Sequence, residues 1–205
     1  ETGISRDHTE RMLKTFSYPL LKQGNKLCID ASSECKATAI EVPGDISSAA
    51  FFIVAATLIP NADVLIKNVG INPTRTGLLD ILKHMGAKIT VLNHRHYGEE
   101  PVADIHVAYA ALQGIDIPEE YVPLAIDEFP ALFIAAACAQ GETRLRGAAE
   151  LRVKESDRIG VMAEGLTQLG IEVETYEDGI RIVGGKLQGG IIDSHGDLRI
   201  AMAFA

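Results

Sequence analysis

Residues 156–175, with the sequence SDRIGVMAEGLTQLGIEVET, predict one helix followed by one strand. Apolar Ile159, Met162 and Leu166 recur at the three- and four-residue spacing of a helix that buries a single face. Gly170 then stands where helices commonly end on a residue of left-handed conformation. The alternation of apolar and polar residues after this glycine favours a strand, so the stretch indicates an α/β fold.

The same order of helix, glycine and strand occurs a second time at residues 74–92, where Gly86 stands in the place of Gly170. A third helix with the same apolar spacing is expected at 8–16, with a strand after it at 26–29. Self-similarity at a regular interval is the signature of a repeat architecture. The sequence therefore predicts one structural unit that is used several times.

Two of the copies continue into a hairpin of strands. The first hairpin is expected at 91–107, with a polar tip at 94–100, and the second at 173–183. His94 and His96 fall in the polar tip, and the sequence offers no obvious third ligand beside them. Because protein zinc sites use three or four ligands, we do not expect a metal there.

Three aspartates, Asp45, Asp127 and Asp197, each precede a run of small and apolar residues. Aspartate is a favoured N-cap residue, so each is expected to begin a helix. The runs at 49–58 and 131–139 are rich in alanine, and we expect both helices to be buried. The complete unit is then strand, helix, strand, helix, strand, strand (βαβαββ), and about two and a half copies are present.

The composition argues against several classes of protein. The chain has 205 residues, 47% of them hydrophobic, and a formal net charge of −9. Such an acidic chain lacks the cationic face of a general nucleic-acid binder, although a few convergent Arg and Lys residues can still form a local anion site. No apolar run reaches about eighteen residues, so we expect no membrane span. No glycine-rich nucleotide motif occurs, and we expect no cofactor.

The start of the chain has no signal-peptide pattern, and Cys28, Cys35 and Cys138 lack the spacing of metal ligands or of a redox pair. A cytoplasmic location is therefore expected, with Cys138 as a small residue of the core. The copies of the repeat at both ends are incomplete, and the last one stops within an apolar helix at Ala205. We expect the natural chain to continue and residues 1–205 to be inactive by themselves.

Six short motifs occur along the chain in a fixed order. They are Ser5-Arg6-Asp7-His8-Thr9-Glu10, Pro43-Gly44-Asp45 with Ser47-Ser48, Asn72-Pro73-Thr74-Arg75-Thr76-Gly77, Ile126-Asp127-Glu128-Phe129-Pro130, Leu151-Arg152-Val153-Lys154-Glu155-Ser156-Asp157-Arg158 and Gly196-Asp197-Leu198-Arg199-Ile200-Ala201-Met202. Together with the repeat, they resemble the enolpyruvyl transferase family over essentially the whole chain. Within that family they are most similar to the branch that acts on shikimate 3-phosphate, in its glyphosate-tolerant form.

This resemblance implies an inside-out α/β barrel of βαβαββ units, with helices inside and sheets outside. It also implies two domains that close on substrates bound between them. Residues 1–43 would be the C-terminal end of the first, shikimate-phosphate-side domain, and 44–205 would be most of the second, truncated inside its third repeat. The complete protein would be a monomer.

The implied reaction transfers the enolpyruvyl group of phosphoenolpyruvate to the 5-hydroxyl of shikimate 3-phosphate and releases phosphate. This is a step of the shikimate pathway, which leads to chorismate and the aromatic amino acids, and glyphosate would be an inhibitor. The chemistry needs a base for the hydroxyl proton, an acid for the methylene carbon, and several cations for two phosphates and a carboxylate.

The resemblance assigns the base, and contact with the shikimate hydroxyls, to Asp127, for which a plain helix N-cap is the alternative reading. It places Lys154 towards the substrates, gives proton transfer to Glu155, and pairs Arg158 with the carboxylate or phosphate of phosphoenolpyruvate. A planar guanidinium suits that pairing because it can bind a carboxylate with two parallel hydrogen bonds. Without the resemblance, residues 154–158 would be read as a solvated ionic turn.

Two further arginines are assigned in the same way. Arg199 matches a second arginine for phosphoenolpyruvate, and Arg6 a contact to the shikimate phosphate, whereas Ser5 is expected to be a helix cap. Leu198 departs from the family, which usually has His at this position. Because leucine can neither titrate nor donate a hydrogen bond, we expect weaker handling of phosphoenolpyruvate.

Two rival functions remain open from the sequence. One is the enolpyruvyl transferase that acts on UDP-N-acetylglucosamine, which shares the fold but is less similar in its motifs. The other is a scaffold that keeps the repeat without the chemistry. The joint presence of Asp127, Lys154, Glu155, Arg158 and Arg199 argues against a scaffold, since convergent charge is unfavourable without a ligand.

Overall fold

The structure, a computed structural model, describes residues 6–24 and 26–205. Its helices are α1 (His8–Thr15), α2 (Ile46–Leu58), α3 (Gly77–His84), α4 (Phe129–Ala137), α5 (Arg158–Gln168) and α6 (Leu198–Phe204). Its strands are β1 (Leu20–Gln23), β2 (Lys26–Ile29), β3 (Asp63–Gly70), β4 (Lys88–Tyr97), β5 (Glu100–Ala108), β6 (Glu142–Leu145), β7 (Glu172–Tyr176) and β8 (Gly179–Val183). Short 3-10 helices lie at Glu119–Tyr121 and Ala149–Val153.

The same unit is built twice. In the first copy α2, β3, α3, β4 and β5 follow one another, and in the second α4, β6, α5, β7 and β8 do so. The two sheets have the equivalent antiparallel orders β3-β5-β4 and β6-β8-β7. The leading strand of each unit is reduced to isolated parallel bridges, which pair Gly44 with Val69 and Asp116 with Arg144.

The second helix of each copy, α3 or α5, ends shortly before a glycine, as the sequence predicts. Gly86 and Gly170 both have a positive φ, of 97° and 84°, which a residue without a Cβ atom adopts at little energetic cost. The buried faces of α3 and α5 include the equivalent residues Leu82 and Leu166, both 0% exposed. The apolar spacing therefore predicted the buried faces of α3 and α5 correctly, whereas α1, which has the same spacing, has no buried residue in the described structure.

Helix α4 lies at the centre of the core. It is buried on nearly every side, and it packs against α2, α5 and α6. Strands β5 and β8 bring apolar side chains to the same core, so each sheet covers the helices of its own unit from outside. This is the arrangement with helices inside and sheets outside that the resemblance implied.

The first hairpin differs from the prediction. Strand β4 continues to Tyr97, so that His94 and His96 lie exposed on a strand and not in a polar turn. The polar residues stay in the sheet because Asp104 accepts hydrogen bonds from the backbone of Asn68, from the Asn93 side chain and from Arg95. The buried carboxylate thereby satisfies donors at the irregular part of both neighbouring strands.

One smaller expectation about burial is wrong. Cys138 is exposed, because α4 ends at Ala137 and the cysteine follows as its C-cap. In α6, Ile200 is buried, whereas Ala201 and Met202 are exposed. Within the described residues, no helix is both long and apolar enough to cross a membrane.

Candidate active site

Asp127 is the residue on which the cations predicted from the sequence converge. It lies in the turn before α4, where its carboxylate accepts a hydrogen bond from Arg6. Its other oxygen, Oδ1, is 3.9 Å from Lys154 Nζ and 3.7 Å from Arg158 Nη1. Residues that are separate in the sequence thus form one charged cluster.

The balance of charge keeps Asp127 ionised. Burial by itself raises the pKa of Asp127, and the hydrogen bond from Arg6 opposes this rise. The positive charges of Arg6, Arg199 and Lys154 lower the pKa further, so the net shift is downward. At neutral pH the group is therefore a carboxylate, which is the protonation state that a base requires.

Asp127 does not cap α4, contrary to the sequence prediction. The helix begins at Phe129 and its N-cap is Glu128, whose side chain makes no capping hydrogen bond. Asp45 and Asp197, by contrast, do accept hydrogen bonds from the first backbone N–H groups of α2 and α6. A capping carboxylate must turn back onto its own helix, whereas Asp127 points to cations from other segments.

Arg158 begins α5 and is 1% exposed. Its Nε donates to Asp197 at 2.8 Å, and its Nη2 donates to Glu155 at 2.6 Å. The remaining Nη1, which faces Asp127, is buried and has no hydrogen-bond partner within residues 6–24 and 26–205. Nη1 can therefore donate hydrogen bonds to a ligand that enters the cluster.

Lys154 and Glu155 lie on the loop that leads into α5, as the sequence predicts. Lys154 is paired with Glu150 as well as lying near Asp127. Glu155 is 68% exposed, and it is held at one end by Arg158. A carboxylate that is held by an arginine and is also open to solvent can exchange a proton with a bound ligand.

A cleft of about 350 Å³ lies between the first turns of α2 and α6. Its polar and charged lining comes from both helix starts and from the α5 loop, and it includes Asp45, Ser47, Ser48, Glu155, Arg158, Asp197 and Arg199. Phe51, Leu198 and Met202 add apolar surface, and Leu198 is 72% exposed. Arg158 and Arg199 face three carboxylates in this lining, so an anion would bind through the guanidinium groups themselves and not through the net charge of the cleft.

Hydrogen bonds from α1 and from Asp7 hold the segment that carries Arg6 near this cluster. Arg11 Nη1 donates to the backbone oxygen of Glu99 at 2.9 Å, and His8 Nδ1 is 2.7 Å from the Glu100 carboxylate. Asp7, the neighbour of Arg6, accepts from Asn72 at 2.7 Å. The first segment is therefore attached to the β4–β5 turn and to the loop before α3. Ser5 lies outside the described residues.

A second polar cluster beside Asp127 was not assigned from the sequence. Glu128 is 2% exposed and accepts a hydrogen bond from the Ser47 hydroxyl, which in turn accepts from Arg75 at 2.6 Å. Each of these residues stands in one of the six motifs, but the motifs do not indicate that they meet. Among the described residues, no group of three His, Cys, Asp or Glu side chains is arranged to hold a metal ion.

The family profile and the curated relatives that match this chain carry the same protein name. The sequence profile of EPSP synthase (3-phosphoshikimate 1-carboxyvinyltransferase) matches residues 1–205. The 3-phosphoshikimate 1-carboxyvinyltransferase of Legionella pneumophila strain Philadelphia 1 is 65% identical over 205 residues, which are 100% of this chain and 47% of that protein. The protein of the same name from Methylococcus capsulatus is 59% identical with the same coverage. The chain thus spans about half the length of the curated relatives it matches.

Solved structures agree with these relatives. EPSP synthase from Acinetobacter baumannii superposes with a TM-score of 0.96 at 56% identity, over 100% of this chain and 48% of that one. The enolpyruvyl transferase NikO from Streptomyces tendae has a TM-score of 0.63 at 18% identity, over 88% of this chain and 41% of that one, and supports the fold alone. The predicted fold class is confirmed, and the chain belongs to the EPSP synthase family.

Proposed function

We propose that this chain forms one wall of a site that transfers the enolpyruvyl group of phosphoenolpyruvate to the 5-hydroxyl of shikimate 3-phosphate, releasing phosphate. The observation that carries the proposal is the convergence of Arg6, Lys154, Arg158 and Arg199 around the ionised Asp127. Both substrates are polyanions, and such a cluster stabilises phosphates and a carboxylate that lie close together. The names of the relatives support the same reaction.

Asp127 is the proposed base for the 5-hydroxyl proton. The cations that surround it lower its pKa, so the free protein holds a weak base. Substrate anions that pair with the same cations would offset their charge and raise the pKa of Asp127. Basicity would then develop once the substrates are bound.

The remaining roles divide between anion binding and proton transfer. Arg158 Nη1 and Arg199 would bind the carboxylate or phosphate of phosphoenolpyruvate, Lys154 would reach both substrates, and Arg6 would bind the phosphate of shikimate 3-phosphate. Glu155, which is exposed but anchored on Arg158, would exchange the proton of the methylene carbon.

The wider proposal concerns the complete protein. We place residues 1–43 at the end of one domain and 44–205 in most of a second, in a cytoplasmic protein that is a monomer when complete. Glyphosate, an anion with a carboxylate and a phosphonate, would compete for the cleft of Arg158 and Arg199. Residues 1–205 alone would be inactive, because a wall of the site without its opposite face cannot enclose the substrates.

A chimera tests the proposal directly. The matching residues of the Legionella pneumophila relative are replaced by this chain, and phosphate release is measured with both substrates. We expect turnover by the chimera and none by residues 1–205 alone. Asp127→Ala should lower kcat by about 10²–10⁴-fold, as expected for loss of a general base. Asp116→Ala, which removes an aspartate that is 80% exposed, is the matched control and should keep the activity.

The same assay separates the rival functions. Turnover with UDP-N-acetylglucosamine in place of shikimate 3-phosphate would favour the other branch of the fold. A folded chimera without turnover on either acceptor would favour the scaffold. Phosphate release by residues 1–205 alone would contradict the proposed division of the site.

A further inference from the structure

Two consecutive carboxylates point in opposite directions at the start of α4. Asp127 faces the cations of the proposed site, whereas Glu128 turns into the protein and is 2% exposed. We propose that Glu128, held by Ser47 and Arg75, is a positioning residue that fixes Asp127 and acts on it through its charge. This inference rests on the proposed function in one respect, since it takes Asp127 to be the base.

The donors and acceptors of this cluster have one consistent direction. A guanidinium can only donate, so Arg75 Nη2 donates to Ser47 Oγ over 2.6 Å. The single hydrogen of the Ser47 hydroxyl is then left for Glu128 Oε1. Glu128 must accept there, which the carboxylate form does best.

The cluster joins the beginnings of three helices. Ser47 lies in the first turn of α2, Arg75 lies in the turn before α3, and Glu128 is the N-cap of α4. Arg75 Nη2 also lies 3.6 Å from Asp45, the N-cap of α2. Because Asp127 directly precedes Glu128, this junction determines where the Asp127 backbone sits.

The charge of Glu128 also matters to its neighbour. Burial is the largest influence on Glu128 and raises its pKa. The hydrogen bond from Ser47 and the charges of Arg75 and Arg199 oppose the rise. The negative charge of Asp127 adds to it, and the net shift is upward. Coupling between two charges is mutual, so ionised Glu128 makes Asp127 a stronger base once the substrates have offset its cations.

Charged groups from several segments of the described chain face the pair. Arg6, Lys154, Arg158 and Arg199 act on Asp127, and Ser47, Arg75 and Arg199 act on Glu128. As pH falls through its raised pKa, Glu128 is protonated, Arg75 loses a counter-charge and Ser47 loses its best acceptor. Because the pKa of Glu128 is raised in the folded chain, protonation favours the folded state, but it also removes the negative charge beside Asp127 and should weaken the base in that pH range.

The first experiment needs no catalysis. The Glu128 carboxyl is titrated by carbon NMR in the 205-residue chain, and its midpoint should lie above 4.5, the ordinary value for glutamate. Asp127→Asn should lower that midpoint by about half a pH unit, because it removes the neighbouring negative charge. Asp116→Asn is the control and should leave it unchanged. An unchanged midpoint in Asp127→Asn would overturn the coupling.

The second experiment uses the chimera. Glu128→Gln keeps an acceptor for Ser47 but has no charge, so kcat should fall roughly tenfold while both KM values stay within about twofold. The variant should also lose the decline in kcat that the unmutated chimera shows as Glu128 protonates. Glu128→Asp, which restores the charge, should recover part of kcat. Glu172→Gln, which removes a remote exposed carboxylate that pairs with Arg181, is the control.

The outcomes distinguish a failure of the positioning role from a failure of the proposed function. Full kcat in Glu128→Gln, or equal losses in kcat and in substrate binding, would overturn the positioning role. An inactive unmutated chimera would count against the proposed function, while the NMR titration would still decide the coupling. If Glu128→Gln does not fold, Ser47→Ala takes its place: it should raise the Glu128 midpoint by removing a hydrogen-bond donor, and no rise would contradict the proposal.

Discussion

At the scale of the residue, the site is a set of charges arranged around Asp127. Arg158 is the most constrained of them, because Asp197 and Glu155 hold two of its nitrogens and leave Nη1 towards Asp127. Lys154 and Glu155 are more exposed and lie on a loop. The buried arginine is therefore a fixed part of the site, and the exposed pair has room to adjust to a ligand.

Leu198 offers a test of a single side chain. It is 72% exposed at the cleft, so histidine can replace it without disturbing the core. Leu198→His should lower the KM for phosphoenolpyruvate in the chimera by roughly tenfold, because an imidazole can donate a charge-assisted hydrogen bond to an anion. Leu198→Phe, which adds a ring without a donor, should leave KM unchanged. Equal KM values for the leucine and histidine forms would show that this position does not contact the substrate.

At the scale of the element, aspartate N-caps begin α2, α5 and α6, but their surroundings differ. Asp157 caps α5 from a largely exposed position and also pairs with Arg152. Asp197 caps α6 while buried against Arg158, with 1% exposure on both side chains. In α5 the aspartate therefore acts as a helix cap near the surface, whereas in α6 it is also part of the charged cluster.

Alanine at the two caps should separate these roles. Asp157→Ala should lower the free energy of unfolding of the 205-residue chain by about 1 kcal/mol, the usual cost of losing a cap. Asp197→Ala should lower it by about 3–5 kcal/mol, because a buried arginine loses its partner. Urea unfolding measures both, and equal losses would contradict the distinction.

The pH dependence of the Asp197 effect has a definite sign. Burial raises the pKa of Asp197, but the hydrogen bond and charge of Arg158 outweigh burial, with help from Ser156, and the net shift is downward from 3.8. The stabilisation is therefore complete above the unfolded value and is lost as pH falls through the lower folded value. The difference between the unmutated chain and Asp197→Ala should shrink in that acidic range.

At the scale of the whole molecule, the two repeated units share one core around α4. Leu82 of α3 and Leu166 of α5 occupy equivalent positions, four residues before Gly86 and Gly170, and both are 0% exposed. Because the central helix contacts both copies, neither unit has a separate core to retain when the other opens.

Matched substitutions test this shared core. Leu82→Ala and Leu166→Ala should each lower the free energy of unfolding by about 2–5 kcal/mol, and each should leave a single transition in urea. Leu65→Ala, at a position that is 45% exposed, should cost less than about 1 kcal/mol. Two resolved transitions in either core variant would mean that the units unfold separately.

The sequence by itself determined the features that depend on near neighbours along the chain. The buried faces of α3 and α5, the glycine ends at Gly86 and Gly170, the caps at Asp45 and Asp197, and the loop position of Lys154 all follow from spacings of a few residues. The resemblance also assigned Asp127 and the cations Arg6, Lys154, Arg158 and Arg199 to the same substrates, and those roles stay predictions.

The tertiary structure alone decided which distant groups meet. Asp127 does not cap α4 and contacts cations from other segments instead. His94 lies in a strand, where Asp104 accepts hydrogen bonds from the side chains on either side of it. The hydrogen bond between Ser47 and Glu128 spans 81 residues of sequence. No local pattern encodes such a pairing, since it forms only when α2 and α4 pack together and burial makes an unpaired polar group costly.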